Sequence, residues 1–329
     1  MSFPFPATDL TFVLPLVHPD GEKVDEYGVV EAILRETLTS LTHQQGAEIR
    51  VVVVCHKAPA WRDDFALQVT FLTIGDHPGF AANHNHVQVD KGMKYVLGTW
   101  YALQHHAPAL VMLMDGDDFV RADLSRTLLD RPDPTPFDDG FLLAAGYHAA
   151  LRPAAGGFLL EAALNVKDFN DTCGSCRVFR AQSLRKSILA FQPDLAGLKP
   201  GEMAGTDGTL RKNFIDCVTT AAEPLRNDQD GLIRVLGRHV RQKKHFDFAR
   251  VTEALVAKGC GHGNHDGPKA GEIHWHKVTA TTPPERFLHD FSLAGRSTMQ
   301  PRPQVRYRVI GMLQSLRRMA GQVKRAVFR

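Results

Sequence analysis

Strand-like apolar runs alternate with helix-spaced apolar residues over residues 11–114, and that alternation restricts the fold more than any other feature of the chain. Thr11 to Val17 reads as a strand, Val30 to Thr42 as a helix with Ile33, Leu34, Leu38 and Leu41 on one side, and Arg50 to Cys55 as a valine-rich strand. Val69 to Ile74 is β-rich again, Met93 to Leu103 is helical, and Ala109 to Met114 is an apolar strand. Helical crossovers let neighbouring strands run parallel, so the pattern predicts an α/β fold with a mostly parallel sheet flanked by helices and right-handed connections. Tyr147 to Leu151 and Phe158 to Leu164 flank Pro153-Ala154-Ala155-Gly156-Gly157, which predicts a hairpin appended to that sheet.

The apolar strand Ala109 to Met114 runs directly into Asp115-Gly116-Asp117-Asp118. Strand side chains two apart point the same way, so Asp115 and Asp117 can reach one hard cation together. Open α/β sheets place ligands at the C-terminal ends of their strands. A divalent metal holding a phosphorylated ligand is therefore expected here, with a solvated Asp-Gly turn as the plain alternative. There is no G-x-x-x-x-G-K-[ST], and Leu14 to Pro19 stands where a G-x-G-x-x-G would follow the first strand. A bound diphosphate would thus depend on the metal.

With 329 residues, 43% hydrophobic and 23% charged, the chain has the composition of a globular protein and enough length for an extensive core. Its start lacks a basic region followed by a long apolar stretch, and no window approaches a membrane span, so a cytoplasmic location is expected. Five cysteines, one of them inside the strand ending at Cys55, predict reduced thiols rather than a disulfide framework.

The short first strand, the helix, the valine-rich second strand, Asp90-Lys91-Gly92-Met93-Lys94 before a helix, and Met112 to Asp118 closing the next strand together resemble the family 2 glycosyltransferases of the GT-A fold. Two later landmarks keep the order: Asn227-Asp228-Gln229-Asp230 before a helical stretch from Gly231 to Leu236, and Gly261-His262-Gly263-Asn264-His265. The resemblance covers residues 9–266 and implies a hexosyltransferase that uses a nucleotide sugar, with a UDP-sugar favoured. It also implies that Asp115 contacts the ribose or an outer-sphere water of the metal. Cys55-His56-Lys57-Ala58-Pro59 replaces the Ser/Asp loop that commonly contacts the base, leaving Asp90 to accept hydrogen bonds from a base edge.

On this reading Asp117 is the first ligand of Mn²⁺ or Mg²⁺, Asp118 orients it or binds through water, and His262 as a further ligand would favour Mn²⁺. Asp228 is the candidate base for an inverting transfer, with the N-cap of the following helix as the alternative role and Asp230 as the substitute. Lys91 and Lys94 are candidates to pair with phosphate, and Arg177 with the preceding Gly174-Ser175 to line the substrate. Cys173-x-x-Cys176 with His262-x-x-His265 has spacing suited to a structural zinc in a non-catalytic scaffold. A nucleotidyltransferase acting on sugar phosphates is the other alternative, although it usually needs a basic glycine-rich N-terminal loop.

Residues 291–329 hold nine Lys or Arg and no Asp or Glu, leaving 30 basic against 36 acidic residues before them. Val305, Val309, Leu313, Leu316, Ala320, Val323 and Val327 recur at helical spacing among the charges. The chain thus divides into a catalytic domain over 1–290 and a basic amphipathic segment over 291–329. That segment either lies on an anionic membrane, at the inner face of the plasma membrane, or docks on the domain. Nucleic acid is not an expected partner; a glycan or lipid-linked acceptor of a surface polysaccharide is.

Overall fold

The computed structural model describes residues 8–21, 26–77, 87–131, 139–154, 157–222, 232, 236, 246–260, 277–294 and 299–301. The elements, in chain order, are β1 (Leu10–Pro15), α1 (Tyr27–Thr42), β2 (Ile49–Cys55), β3 (Val69–Thr73), α2 (Val87–His105), β4 (Leu110–Leu113), β5 (Asp118–Val120) and α3 (Leu124–Leu129). Then follow β6 (Gly140–Leu143), β7 (Ala145–Ala154), β8 (Gly157–Lys167), β9 (Arg177–Arg180), α4 (Ala181–Phe191) and α5 (Lys212–Ala222). β10 (Ala249–Val251), β11 (Val256–Cys260), β12 (Val278–Thr282), a short helix Pro284–Asp290 and β13 (Met299–Pro301) complete the described elements.

Seven strands form the first sheet in the order β10-β6-β9-β4-β1-β2-β3. β1 runs parallel to β2 and to β4, β2 runs parallel to β3, and β9 is antiparallel to both β4 and β6. This is the mixed α/β architecture, a largely parallel sheet flanked by helices, expected from the alternation. Successive side chains of β1 and β2 enter opposite cores, as a period of two requires. Phe12, Leu14, Val51 and Val53 pack with Leu34, Leu38 and Leu41 of α1. Val13, Val52 and Val54 pack with Met93, Val96, Leu97 and Trp100 of α2. A Cβ at Gly98 would lie 2.6 Å from Val13 Cγ1, so this glycine lets α2 sit close against the sheet.

Two expectations are corrected. The hairpin formed by β7 and β8 is present, but it belongs to a second, six-stranded sheet with path β12-β8-β7-β11-β5 and β13 on β8, not to the first. Its buried residues pack on Ile33 of α1 and on Phe287, Leu288, Phe291 and Leu293, which gives that sheet a core of its own. The segment Asp90 to Lys94 lies inside α2 rather than before it, because buried Val89 extends the helix's apolar stripe and tertiary packing overrides the weak helix propensity of Gly92. Beyond residue 290, Phe291 and Leu293 are buried, and Met299–Pro301 pairs with β8. Residues 302–329, with the proposed amphipathic helix, lie outside the described residues.

Candidate metal centre

β4 ends the run of parallel strands at Leu113 in the first sheet, and β5 begins at Asp118 in the second. The acidic motif is therefore the link between the two sheets. Among the described residues, Asp115, Asp117 and Asp118 are the one group of three or more candidate ligands, each offering an oxygen within 4.8 Å of the others. The site stands at the C-terminal end of β4, beside β1, whose partners lie on both sides; this is the switch point where open α/β sheets form their crevice.

Strand register explains what surrounds the carboxylates. β4 and β9 are antiparallel with Leu113 opposite Arg177, and continuing that register sets Asp115 opposite Ser175. The Asp115 amide donates to Ser175 Oγ at 2.8 Å, and Ser175 also hydrogen-bonds Asp118. Lys91 pairs with Asp115, and Tyr95, one turn along α2, donates its hydroxyl to Asp115 Oδ1 at 3.1 Å. On the other side, β5 and β11 place Lys258 opposite Asp118, so Gly259 falls opposite Asp117. The Gly259 amide donates to Asp118 Oδ1 at 3.2 Å, and Cys173 Sγ donates to Asp118 Oδ2 at 3.2 Å. Thr37 Oγ1 of α1 holds the Gly116 carbonyl at 3.0 Å.

Asp118 is 1% exposed, and burial, followed by repulsion from Asp117 and Asp115, pushes its carboxyl well above the usual range. Three carboxylates, all hard oxygen donors, with one of them too crowded to ionise readily, suit a divalent cation such as Mg²⁺ or Mn²⁺. The same crowding predicts a pH dependence. An acid whose folded pKa is raised stabilises the fold fully below its unfolded value, near 4, and loses that stability as pH rises through the folded value. Without divalent ions, thermal melting should fall over that window. Asp118→Asn should flatten the profile, leaving a more stable metal-free chain at neutral pH.

Asp90 and Lys94 form a second polar cluster, at the ends of β1 and β2. Lys94 is 0% exposed and donates to the Leu16 carbonyl and to Asp90 Oδ2, both at 2.8 Å. His56 Nε2 stands 3.9 Å from Asp90 Oδ1, and the His18 and His56 rings are 4.1 Å apart. Burial alone would raise the Asp90 carboxyl, and the Lys94 charge with the His56 and Lys94 hydrogen bonds outweighs it, leaving the net shift downward. Lys94 is thus buried against Asp90, while Lys91 reaches the acidic motif. Arg177 is buried and donates to the Leu236 carbonyl at 3.1 Å.

Asp228, Asp230 and His262 lie outside the described residues, as does His265 of the zinc alternative. Burial pushes the Cys176 thiol up to about 12 and, with the Asp118 charge, holds the Cys173 thiol well above its ordinary value; the latter spends its proton on Asp118. Sequence reasoning missed Tyr95, Thr37, Lys258 and Gly259. The Cys173 to Cys176 segment did stand out in the sequence, but as a zinc or substrate loop, whereas Cys173 and Ser175 hold the carboxylates. Among the described residues no helix is long and apolar enough to cross a membrane.

No protein-family model matches the chain, and no curated protein matches it. Among solved structures, the crystal structure of S. aureus TarS aligns with 77% of this chain at 12% sequence identity and a TM-score of 0.38. The alignment takes in 37% of that chain, so the protein spans well under half of its length.

Proposed function

We propose that the chain is a metal-dependent, inverting glycosyltransferase that moves a hexosyl group from a nucleotide sugar, a UDP-sugar first, to a glycan or lipid-linked acceptor in surface polysaccharide synthesis. The observation that carries this reading is the set of three carboxylates within 4.8 Å of one another at the C-terminal end of β4. A bound Mn²⁺ or Mg²⁺ would supply Lewis-acid neutralisation of the departing diphosphate.

The chain's own residues have separable tasks. Asp117 and Asp118 hold the cation. Asp115, steadied by Tyr95 and Lys91, faces the donor's ribose, and Lys91 is the lysine near enough to exchange Asp115 for a phosphate oxygen. Asp90, kept ionised by buried Lys94, accepts hydrogen bonds from the base edge. Asp228 takes the proton of the attacking hydroxyl, with His262 as a further metal ligand. The basic residues of 302–329 bring the catalytic body to an anionic membrane surface on the cytoplasmic side, where a lipid-linked acceptor would lie.

Calorimetric titration of UDP, GDP and CMP into the purified chain, with and without Mn²⁺, tests the reading. Binding of one nucleotide only with Mn²⁺ is expected; no binding under either condition would reject it. For the base, Asp228→Asn should keep donor affinity and lower transfer by about 10²–10⁴-fold, as loss of a general base does. An active Asp228→Asn variant would move the role to Asp230.

A further inference from the structure

A row of polar side chains crosses the second sheet behind the carboxylates. β5, β11 and β7 are neighbours, and their registers set Asp118 opposite Lys258 and Lys258 opposite His148. Residues in register across adjacent strands share a face, so carboxylate, ammonium and imidazole form one line. Asp118 is 1% and His148 2% exposed.

The turn that follows β8 lies over this row. Lys258 Nζ donates to the Thr172 carbonyl at 3.0 Å. His148 Nε2 meets Thr172 Oγ1 at 3.3 Å, and that hydroxyl donates to the Phe169 carbonyl at 3.0 Å. The next residue is Cys173, whose thiol donates to Asp118 Oδ2. Thr172 is thus gripped at its carbonyl and at its hydroxyl, one residue before the group that fixes Asp118.

We infer that Lys258 is a positioning residue of the acidic site: by holding the Thr172 carbonyl it aims the Cys173 thiol at Asp118 and keeps that carboxylate turned toward the cation. The effect on metal affinity rests on the metal-site reading above; the effect on the thiol does not. Two accounts of Lys258 predict opposite signs. As a mere charge, its removal from beside three carboxylates should tighten cation binding. As a positioning residue, its removal should loosen it, in the manner of outer groups around metal ligands, by about 10–100-fold.

The experiment uses the purified full chain and Mn²⁺ alone, with bound and free ion separated by electron paramagnetic resonance. Lys258→Met should weaken Mn²⁺ binding by about 10-fold or more, while Lys258→Arg, which can still donate to the Thr172 carbonyl, should restore most of it. In parallel, the infrared S–H stretch of Cys173, assigned by its loss in Cys173→Ala, should move to the position of an unbonded thiol in Lys258→Met and stay in Lys258→Arg. Unchanged or tighter Mn²⁺ binding in Lys258→Met, or an unmoved S–H band, would overturn the inference. Should Lys258→Met fail to fold, Cys173→Ala carries the test: it should weaken Mn²⁺ binding to a similar degree, and full affinity in that variant would overturn the inference equally. If wild type and Asp117→Asn take up Mn²⁺ alike, the metal reading falls, and the S–H band still decides what Lys258 does.

Discussion

Asp117→Asn is expected to reduce Mn²⁺-dependent nucleotide affinity by about 10²–10³-fold, roughly 3–4 kcal/mol, while the chain keeps its fold. Asparagine preserves the shape and one acceptor oxygen and removes the charge. The Asp117 charge is, after burial, the largest of the influences that push the Asp118 carboxyl up, so its loss also relieves repulsion in the metal-free chain. Melting temperature without metal should therefore hold or rise, and the stabilisation that Mn²⁺ confers on the wild type should vanish. Calorimetry with the bound nucleotide and melting scans with and without Mn²⁺ read the two effects separately. A variant that binds nucleotide with wild-type affinity and metal dependence would remove Asp117 from the site.

Gly259→Ala is expected to have a large structural effect at the acidic link. A Cβ at this position would stand 2.2 Å from the Asp117 carbonyl oxygen, an atom of the backbone that cannot swing aside. β11 and the acidic link would have to separate, which would also break the Gly259 amide's bond to Asp118. Overpacking of this kind costs about 1–3 kcal/mol, and the lost bond to a charged group adds to it. At about 1–2 °C per kcal/mol for a chain of this size, the melting temperature should fall measurably, and Mn²⁺ uptake should fall with it. Gly201→Ala is the control, since nothing lies within 4 Å of a Cβ there. Equal melting temperatures for Gly259→Ala and Gly201→Ala would show that the close approach of β11 to the motif is not required.

The first four strands, β1 to β4, were legible because their signals are local, whereas β6, β9 and β10 of the same sheet carried none that was read. Valines in the strand ending at Cys55, the stripe Ile33, Leu34, Leu38 and Leu41, and the apolar run before Asp115 each state their element without reference to distant residues. The second sheet was less legible. β5 has three residues, Asp118–Val120, and joins β11, more than a hundred residues later, by register alone. The start of α2 was read too late because Gly92 interrupts the pattern, while the buried contacts of Val89 and Lys94 that sustain the helix come from elsewhere in the chain.

By itself the sequence determined the parallel α/β core, the acidic link that ends its fourth strand, and the residues that supply negative charge there. Periodicity and charge are properties of neighbours in the chain, and they need no tertiary information. Only the tertiary structure decided that this link joins two sheets, that Asp118 is buried while its two companions are partly exposed, and that Cys173, Ser175, Tyr95, Lys91 and Gly259 are the groups that hold the carboxylates. Those contacts follow from the pairing of β4 with β9 and of β5 with β11, and strand register over such separations is set by packing of the whole core, which no local pattern encodes.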